Sequence, residues 1–390
     1  MPVTDHHSAN AAPGSDNLQP PPATAEGKRL LRDILCFRDD WADNQRLRLS
    51  LFQPGCWDIV FAAASELRLM PALVGRVEQR NLTPPAPTNN SDDVSHPSEV
   101  LRLQKKYHDE GRVAFREVLL EAIKALNKCG VQPILLKGAR YLWTQSNPTR
   151  TMRDIDLLIE DQDIERSNTA LLELGYAASG ADANRVNRHH LPSLFHPARP
   201  GWIELHRRAG NPYAEAIFPT GRLLEELQIS TQSGLSVRLP NDAIHIWHAL
   251  VHHQFGHSGF ARGEIHLKPL YELALALEHM DQQTFEQLES LAASSNLARA
   301  TLDLWVAGAR HGLACQIPFS SVLEEEFQNL SMRWLERAEE DNTESGKYPG
   351  YRELLRLAWR SETRLRRGNT GFLLPERLRD LILLAPKIRF

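Results

Sequence analysis

Between Val131 and His206 the spacing of apolar residues falls from three or four to two, and stretches of helical period flank this segment on both sides. A strand shows alternate residues to one face, whereas a helix shows every third or fourth. A chain patterned this way is confined to a small sheet set among helices. The strand-like segments are VQPILLKG (131–138), TMRDIDLLIE (151–160), and SLFH with WIELH around the turn-forming ARPG (193–206). Helical turns over ARYLWTQS (139–146) and a helix over DIERSNTALLELG (163–175), stopped by Gly175, separate them. The fold class this predicts is α+β, a small mixed β-sheet core flanked by N-terminal and C-terminal helical regions.

The rest of the chain divides around that core. Residues 1–27 carry almost no large apolar side chain and are expected to form a disordered tail. Helical spacing over 28–80 predicts an N-terminal unit, and the proline-rich stretch 81–98 predicts a linker. Ser98 is the expected cap of a long helix running to Lys128, with Gly130 as its stop. The core is placed at 99–215, and 216–390 is read as a helical region with a basic tail.

Composition narrows the function classes. With 42% apolar and 24% charged residues in 390, the chain has globular values rather than those of a disordered or fibrous protein. A net charge of -4 gives no global pull toward nucleic acid or anionic lipid. Cys36, Cys56, Cys129 and Cys315 form no C-x-x-C pair, as expected of free thiols in a reducing compartment. No apolar run reaches the roughly 18 residues of a spanning helix, and the N-terminus lacks the layout of a signal peptide. A cytoplasmic location is expected.

The chemistry concentrates on TMRDIDLLIE. In a strand, Asp154 and Asp156 share one face while Ile155, Leu157 and Ile159 enter the core. Two carboxylates so close repel unless a cation lies between them. Magnesium suits such oxygen ligands, held by one or two carboxylates together with substrate phosphates. Upstream, Lys137 supplies a positive charge and Gly138 permits close approach of the backbone to a phosphate; Arg150 and Arg153 flank the acids. Trp202, Glu204 and His206 share a face of WIELH, and strand pairing would bring Glu204 beside the aspartates. Three acids of that kind can hold two metal ions.

Taken together, the LLKG segment, the DID triplet fifteen residues later and the ELH some fifty residues on resemble the nucleotidyltransferase fold of DNA polymerase β. More narrowly, Lys137-Gly138, RTMRDIDLL (150–158), HHLP (189–192) and ELH (204–206) resemble a bacterial family of uncharacterised nucleotidyltransferases. CWDIVFAAASELRLMPALVGRV (56–77) and DAIHIWHALVHHQFGH (242–257) are similar to that family's flanking helices, so the likeness runs from about 28 to about 280.

The resemblance implies a nucleotidyltransferase core in which Asp154, Asp156 and Glu204 are catalytic and hold Mg²⁺, as one or two ions. Lys137, Gly138, Arg150, Arg153, His190 and His206 would contact an NTP, with ATP the expected one. Glu204 would complete a second metal site or take the proton of an unidentified hydroxyl acceptor: a small molecule, a protein or RNA. Two departures stand out: Gly138 is followed by Ala139 rather than a serine or glycine, and Glu272 stands where related enzymes often have an aspartate.

Other signals compete. His245, His248, His252, His253 and His257 cluster on a helix, which admits a zinc hydrolase, although no H-E-x-x-H pattern accompanies them. Arg352, Arg356, Arg360 and Arg364 form a basic stripe near the C-terminus, suited to an acidic partner or RNA, or to pairing with the acids around Glu324–Glu326 and Glu339–Asp341. A catalytically inactive nucleotide-binding module, such as a toxin-antitoxin partner, is the remaining alternative.

Overall fold

The computed structural model describes residues 23–84, 96–179, 189–257, 259–317, 325–340 and 353–358. Five helices come first: α1 (Ala25–Leu35), α2 (Trp41–Leu51), α3 (Cys56–Glu66), α4 (Met70–Gln79) and α5 (Pro97–Lys128). The core follows as β1 (Ile134–Leu135), α6 (Lys137–Thr144), β2 (Asp154–Leu158), α7 (Ile164–Glu173), β3 (Ala177–Ala178), β4 (Leu194–Phe195) and β5 (Trp202–His206). Next come α8 (Pro212–Ile217), α9 (Thr220–Leu224), β6 (Leu227–Gln232) and β7 (Leu235–Pro240). The chain then runs through α10 (Asp242–Val251), α11 (Gly259–Arg262), α12 (Leu267–His279), α13 (Gln282–Ala292), α14 (Asn296–Ala307) and α15 (Glu325–Glu340).

One sheet of seven strands organises the molecule, in the order β3-β4-β5-β2-β1-β7-β6. The β2–β5 and β1–β7 pairs are parallel and the others antiparallel, so the sheet is mixed and the α+β class holds. Its two faces serve different cores. Leu135, Ile155, Leu157, Ile203 and Leu205 pack against Val118, Leu119, Ala122 and Ile123 of α5. Ile134, Leu136 and Leu158 belong to the second core, which joins α1–α4 to α10 and α12–α15. The N-terminal and C-terminal helices therefore share one interior. Arg32 of α1 and Glu339 of α15 form an ion pair across it, 3.0 Å apart.

Four points differ from the sequence reading. Part of 216–390 is not helical: β6 and β7 form a hairpin through Ser233 and Gly234, both at positive φ, and extend the sheet beyond β1. That two-residue turn between short alternating runs is a hairpin signal. Of the expected tail, residues 1–22 lie outside the described residues, while 25–27 already belong to α1, where Thr24 Oγ1 accepts from Gly27 N. Of the expected linker, 85–95 lie outside the described residues, and Leu82 is buried. The long helix begins at Pro97, two residues earlier than expected, and His96 rather than Ser98 is its cap. Proline suits that first position because its missing N–H needs no partner there. Among the described residues no helix is long and apolar enough to cross a membrane.

Candidate active site

The apolar half of β2 and β5 decides where the polar half points. Because Ile155, Leu157, Ile203 and Leu205 are fully buried against α5, the alternate residues Asp154, Asp156, Trp202, Glu204 and His206 face the opposite side. Parallel pairing sets Asp154 against Trp202 and Asp156 against Glu204. Gly201 makes this closeness possible. It sits at φ 70°, and a Cβ there would lie 2.4 Å from the Phe115 ring and 2.5 Å from the Arg153 carbonyl oxygen.

Asp156 is the electrostatic centre. Its Oδ1 accepts from Lys137 Nζ at 2.9 Å and from His206 Nε2 at 2.8 Å. The same His206 nitrogen lies 3.4 Å from Glu204 Oε2, and Ser193 Oγ donates to Glu204 Oε1 at 3.0 Å. Burial would raise the Asp156 pKa, but Lys137 and His206 hold it far below the carboxylate range. Glu204 is likewise opposed by burial yet brought down to about 2, chiefly by the His206 hydrogen bond. Burial would neutralise His206; its hydrogen bonds to Asp156 and Glu204 prevail and raise its pKa. Asp154 differs: burial and the Asp156 charge push it up. Lys137 reaches Asp156 from a backbone at φ 43°, a left-handed conformation that costs a side-chain-bearing residue on the order of 1 kcal/mol.

The remaining predicted residues are placed unequally. Arg150 is half-buried and ion-paired with Glu272 of α12, with its guanidinium 5.7 Å from the Tyr141 ring centroid. Arg153 is exposed and stacks 5.6 Å from the Trp202 ring. Gly138 is the second residue of α6, and a Cβ there would come within 2.5 Å of Cε at the flexible end of Met152. His190 Nδ1 donates to the Leu191 carbonyl at 2.6 Å, and the His189 and His190 rings stand 5.3 and 5.2 Å from that of His206. Burial and the neighbouring His206 charge keep His189 neutral, at about 3.

The histidine helix has a different role. Its α-helical part ends at Val251 and continues as a π turn over His252–Gly256. His248 Nε2 donates to the Ala209 carbonyl at 2.7 Å, and burial drives His245, His252 and His253 well below their ordinary pKa. Among the described residues, the one group whose ligand atoms converge is Asp156, Glu204 and His206, within 4.8 Å. Of the basic stripe, Arg356 is described and exposed, and Arg352, Arg360 and Arg364 lie outside the described residues.

A divalent cation fits this donor set. The ligand atoms that converge are those of Asp156, Glu204 and His206, and Asp154 stands on the same face of β2 but outside that group. Three residues around the acids escaped the sequence reading. Ser193 orients Glu204, and it adjoins the HHLP segment in the sequence. The Asp154 charge is felt by Arg68, in the turn between α3 and α4, and by Lys268 of α12, and no local spacing marks them.

No curated protein and no solved structure matches the chain. The family model described as an uncharacterised nucleotidyltransferase matches residues 53–307. That span includes the acids of β2 and β5, Lys137, and the flanking segments that carry Arg68 and Lys268. The chain belongs to this family of uncharacterised nucleotidyltransferases.

Proposed function

We propose that the protein transfers a nucleoside monophosphate from an NTP, ATP in the first instance, to a hydroxyl acceptor, and that Asp154, Asp156 and Glu204 hold Mg²⁺ for this purpose. The observation that carries the reading is the register of β2 and β5, which sets Asp156 directly beside Glu204, with Asp154 on the same face and Lys137 Nζ 2.9 Å from Asp156. When bound, Mg²⁺ would neutralise phosphate charge and orient the triphosphate.

The chain's own residues account for the rest. Lys137 and Arg153 provide positive charge for phosphate oxygens beside the acids. Glu204, held at about 2, stays ionised at neutral pH, which suits a permanent ligand and makes it a poor proton acceptor. This favours the metal-holding role over the alternative of Glu204 as general base. His206 fixes the Asp156 and Glu204 carboxylates relative to each other, and Ser193 fixes Glu204 from the other side. The acceptor oxygen bonds to the α-phosphorus, the bond from that phosphorus to the β-bridging oxygen breaks, the hydroxyl proton passes to solvent, and pyrophosphate leaves.

The deciding experiment incubates the purified protein and Mg²⁺ with each α-labelled NTP in cell extract. Label is expected in one class of product: small molecule, protein or RNA. Absence of label with every NTP would overturn the reading and favour a binding module without chemistry.

A further inference from the structure

A cleft of about 520 Å³ lies between α6, α10, α12 and the start of α13. Small-molecule sites run from about 300 to 1,000 Å³ and are mostly preformed. This one has fixed walls. Arg112 of α5 donates to the Asn147 and Ser146 carbonyls at 3.0 and 2.9 Å, which holds the loop that forms one side. Arg140 of α6 and Asp242 of α10, both on the wall, are ion-paired.

The lining is apolar where Ile246, Leu275, Ala276 and Met280 meet, and polar beside them. His245 is 2% exposed and stands edge-on to Tyr141, with ring centroids 4.9 Å apart. Its Nδ1 and Glu272 Oε1 are buried with no hydrogen bond among the described residues; Lys268 Nζ stands 4.0 Å from that oxygen, and Arg150 holds the other one. Buried polar atoms are seldom left unpaired, and a hydrogen-bond donor seated against this wall would answer both.

Charge narrows the occupant. The wall carries one cation, Arg140, and three acids, Asp242, Glu272 and Asp281. Arg150, paired with Glu272, brings the positive side to two, so negative charge stays in excess. The starts of α10 and α13 do not reverse this. Asn241 Oδ1 accepts from Ile244 N and Asp281 Oδ1 from Thr284 N, so N–H groups that would draw an anion are already engaged.

We infer that this cleft binds a small organic cation, an ammonium group on an apolar body that also bears a hydroxyl. The apolar body would lie on Ile246, Leu275, Ala276 and Met280, and the donor groups would face the acids and His245. The cleft stands on its own geometry, apart from the nucleotidyl-transfer reading. One side chain joins it to the acid site: Arg150 binds Glu272, and its Nε lies 3.3 Å from where a Cβ on Gly138, next to Lys137, would stand.

The test titrates the full-length protein with tyramine, 4-hydroxyphenethyl alcohol and 4-hydroxyphenylacetate, followed by ligand-observed NMR. The three share a phenol ring and end in an ammonium, a hydroxyl and a carboxylate. Tyramine should bind tightest, roughly tenfold better than the carboxylate. Ala276→Leu fills the cleft from a half-buried helical position and should weaken tyramine by about tenfold. Asp281→Asn keeps the helix cap but removes a charge, so the advantage of tyramine over the alcohol should shrink about two- to threefold while the alcohol binds as before. That exposed change carries the test should Ala276→Leu fail to fold. Equal affinity for all three compounds, preference for the carboxylate, no binding of tyramine, or unchanged tyramine binding in folded Ala276→Leu overturns the inference. Label transfer from NTP is measured without these compounds, so its outcome is separate.

Discussion

Lys137 Nζ lies 2.9 Å from Asp156 Oδ1, and the lysine reaches it from a left-handed backbone at the first residue of α6. A half-buried cation is thus set against the buried acid of a pair two residues apart, and the other acid, Asp154, is left with the higher proton affinity. The two aspartates consequently respond differently to substitution.

Asp154→Asn removes a charge that its surroundings disfavour. Nucleotide transfer should drop by roughly a hundredfold or more, while the thermal midpoint at pH 7 stays level or rises slightly. Mg²⁺ should raise the midpoint of the parent protein and do so less in the variant. Thermal shift with and without Mg²⁺, alongside the label assay, checks this; a variant that retains parental transfer contradicts the proposed site.

In Asp156→Asn, the charges on Lys137 and His206 lose the carboxylate they share. Breaking a buried pair of this kind costs about 3 to 5 kcal/mol, and adding Lys137→Met should recover part of it. Urea denaturation of the single and double variants measures both steps, and an unchanged midpoint for Asp156→Asn would argue that the pair is not formed.

Gly201→Ala puts a methyl group between Phe115 and the Arg153 carbonyl at a backbone φ of 70°. Overpacking and backbone strain together predict a loss of about 2 to 4 kcal/mol. Because β5 starts at the next residue, transfer activity should fall even at temperatures where the variant remains folded. A stable, fully active Gly201→Ala protein would show that β5 does not need this approach to β2.

Glu339 is 3% exposed, and burial, against the pull of Arg32, raises it from the ordinary 4.5 to about 7. A raised folded-state value means that the proton bound on folding contributes stability below pH 4.5, and that this contribution is lost as pH climbs through 7. The loss is at most about 3 kcal/mol. Glu339→Gln should flatten the pH dependence and raise the midpoint at pH 8 relative to the parent. Melting curves from pH 5 to pH 8 decide; parallel curves for the two proteins would place the titration elsewhere.

How much of this could be read in the chain depends on the range of the interaction. The DID triplet, Glu204 and His206 are legible because strand alternation is local: once Ile155, Leu157, Ile203 and Leu205 are known to seek a core, their polar neighbours must face away. The β6–β7 hairpin was missed because its strands are short and only partly apolar, although Ser233-Gly234 marks its turn. Arg150 reads as a phosphate ligand from its place beside the acids, yet it is engaged by Glu272, 122 residues later.

Sequence alone determined the sheet among helices, the face on which the acids stand and the family signature, since each follows from spacing within a few residues. Tertiary structure decided which acid receives Lys137 and His206, that the two helical ends share a core, and that Glu272 of α12 engages Arg150. Charge acts through space, over distances that have no fixed relation to separation along the chain.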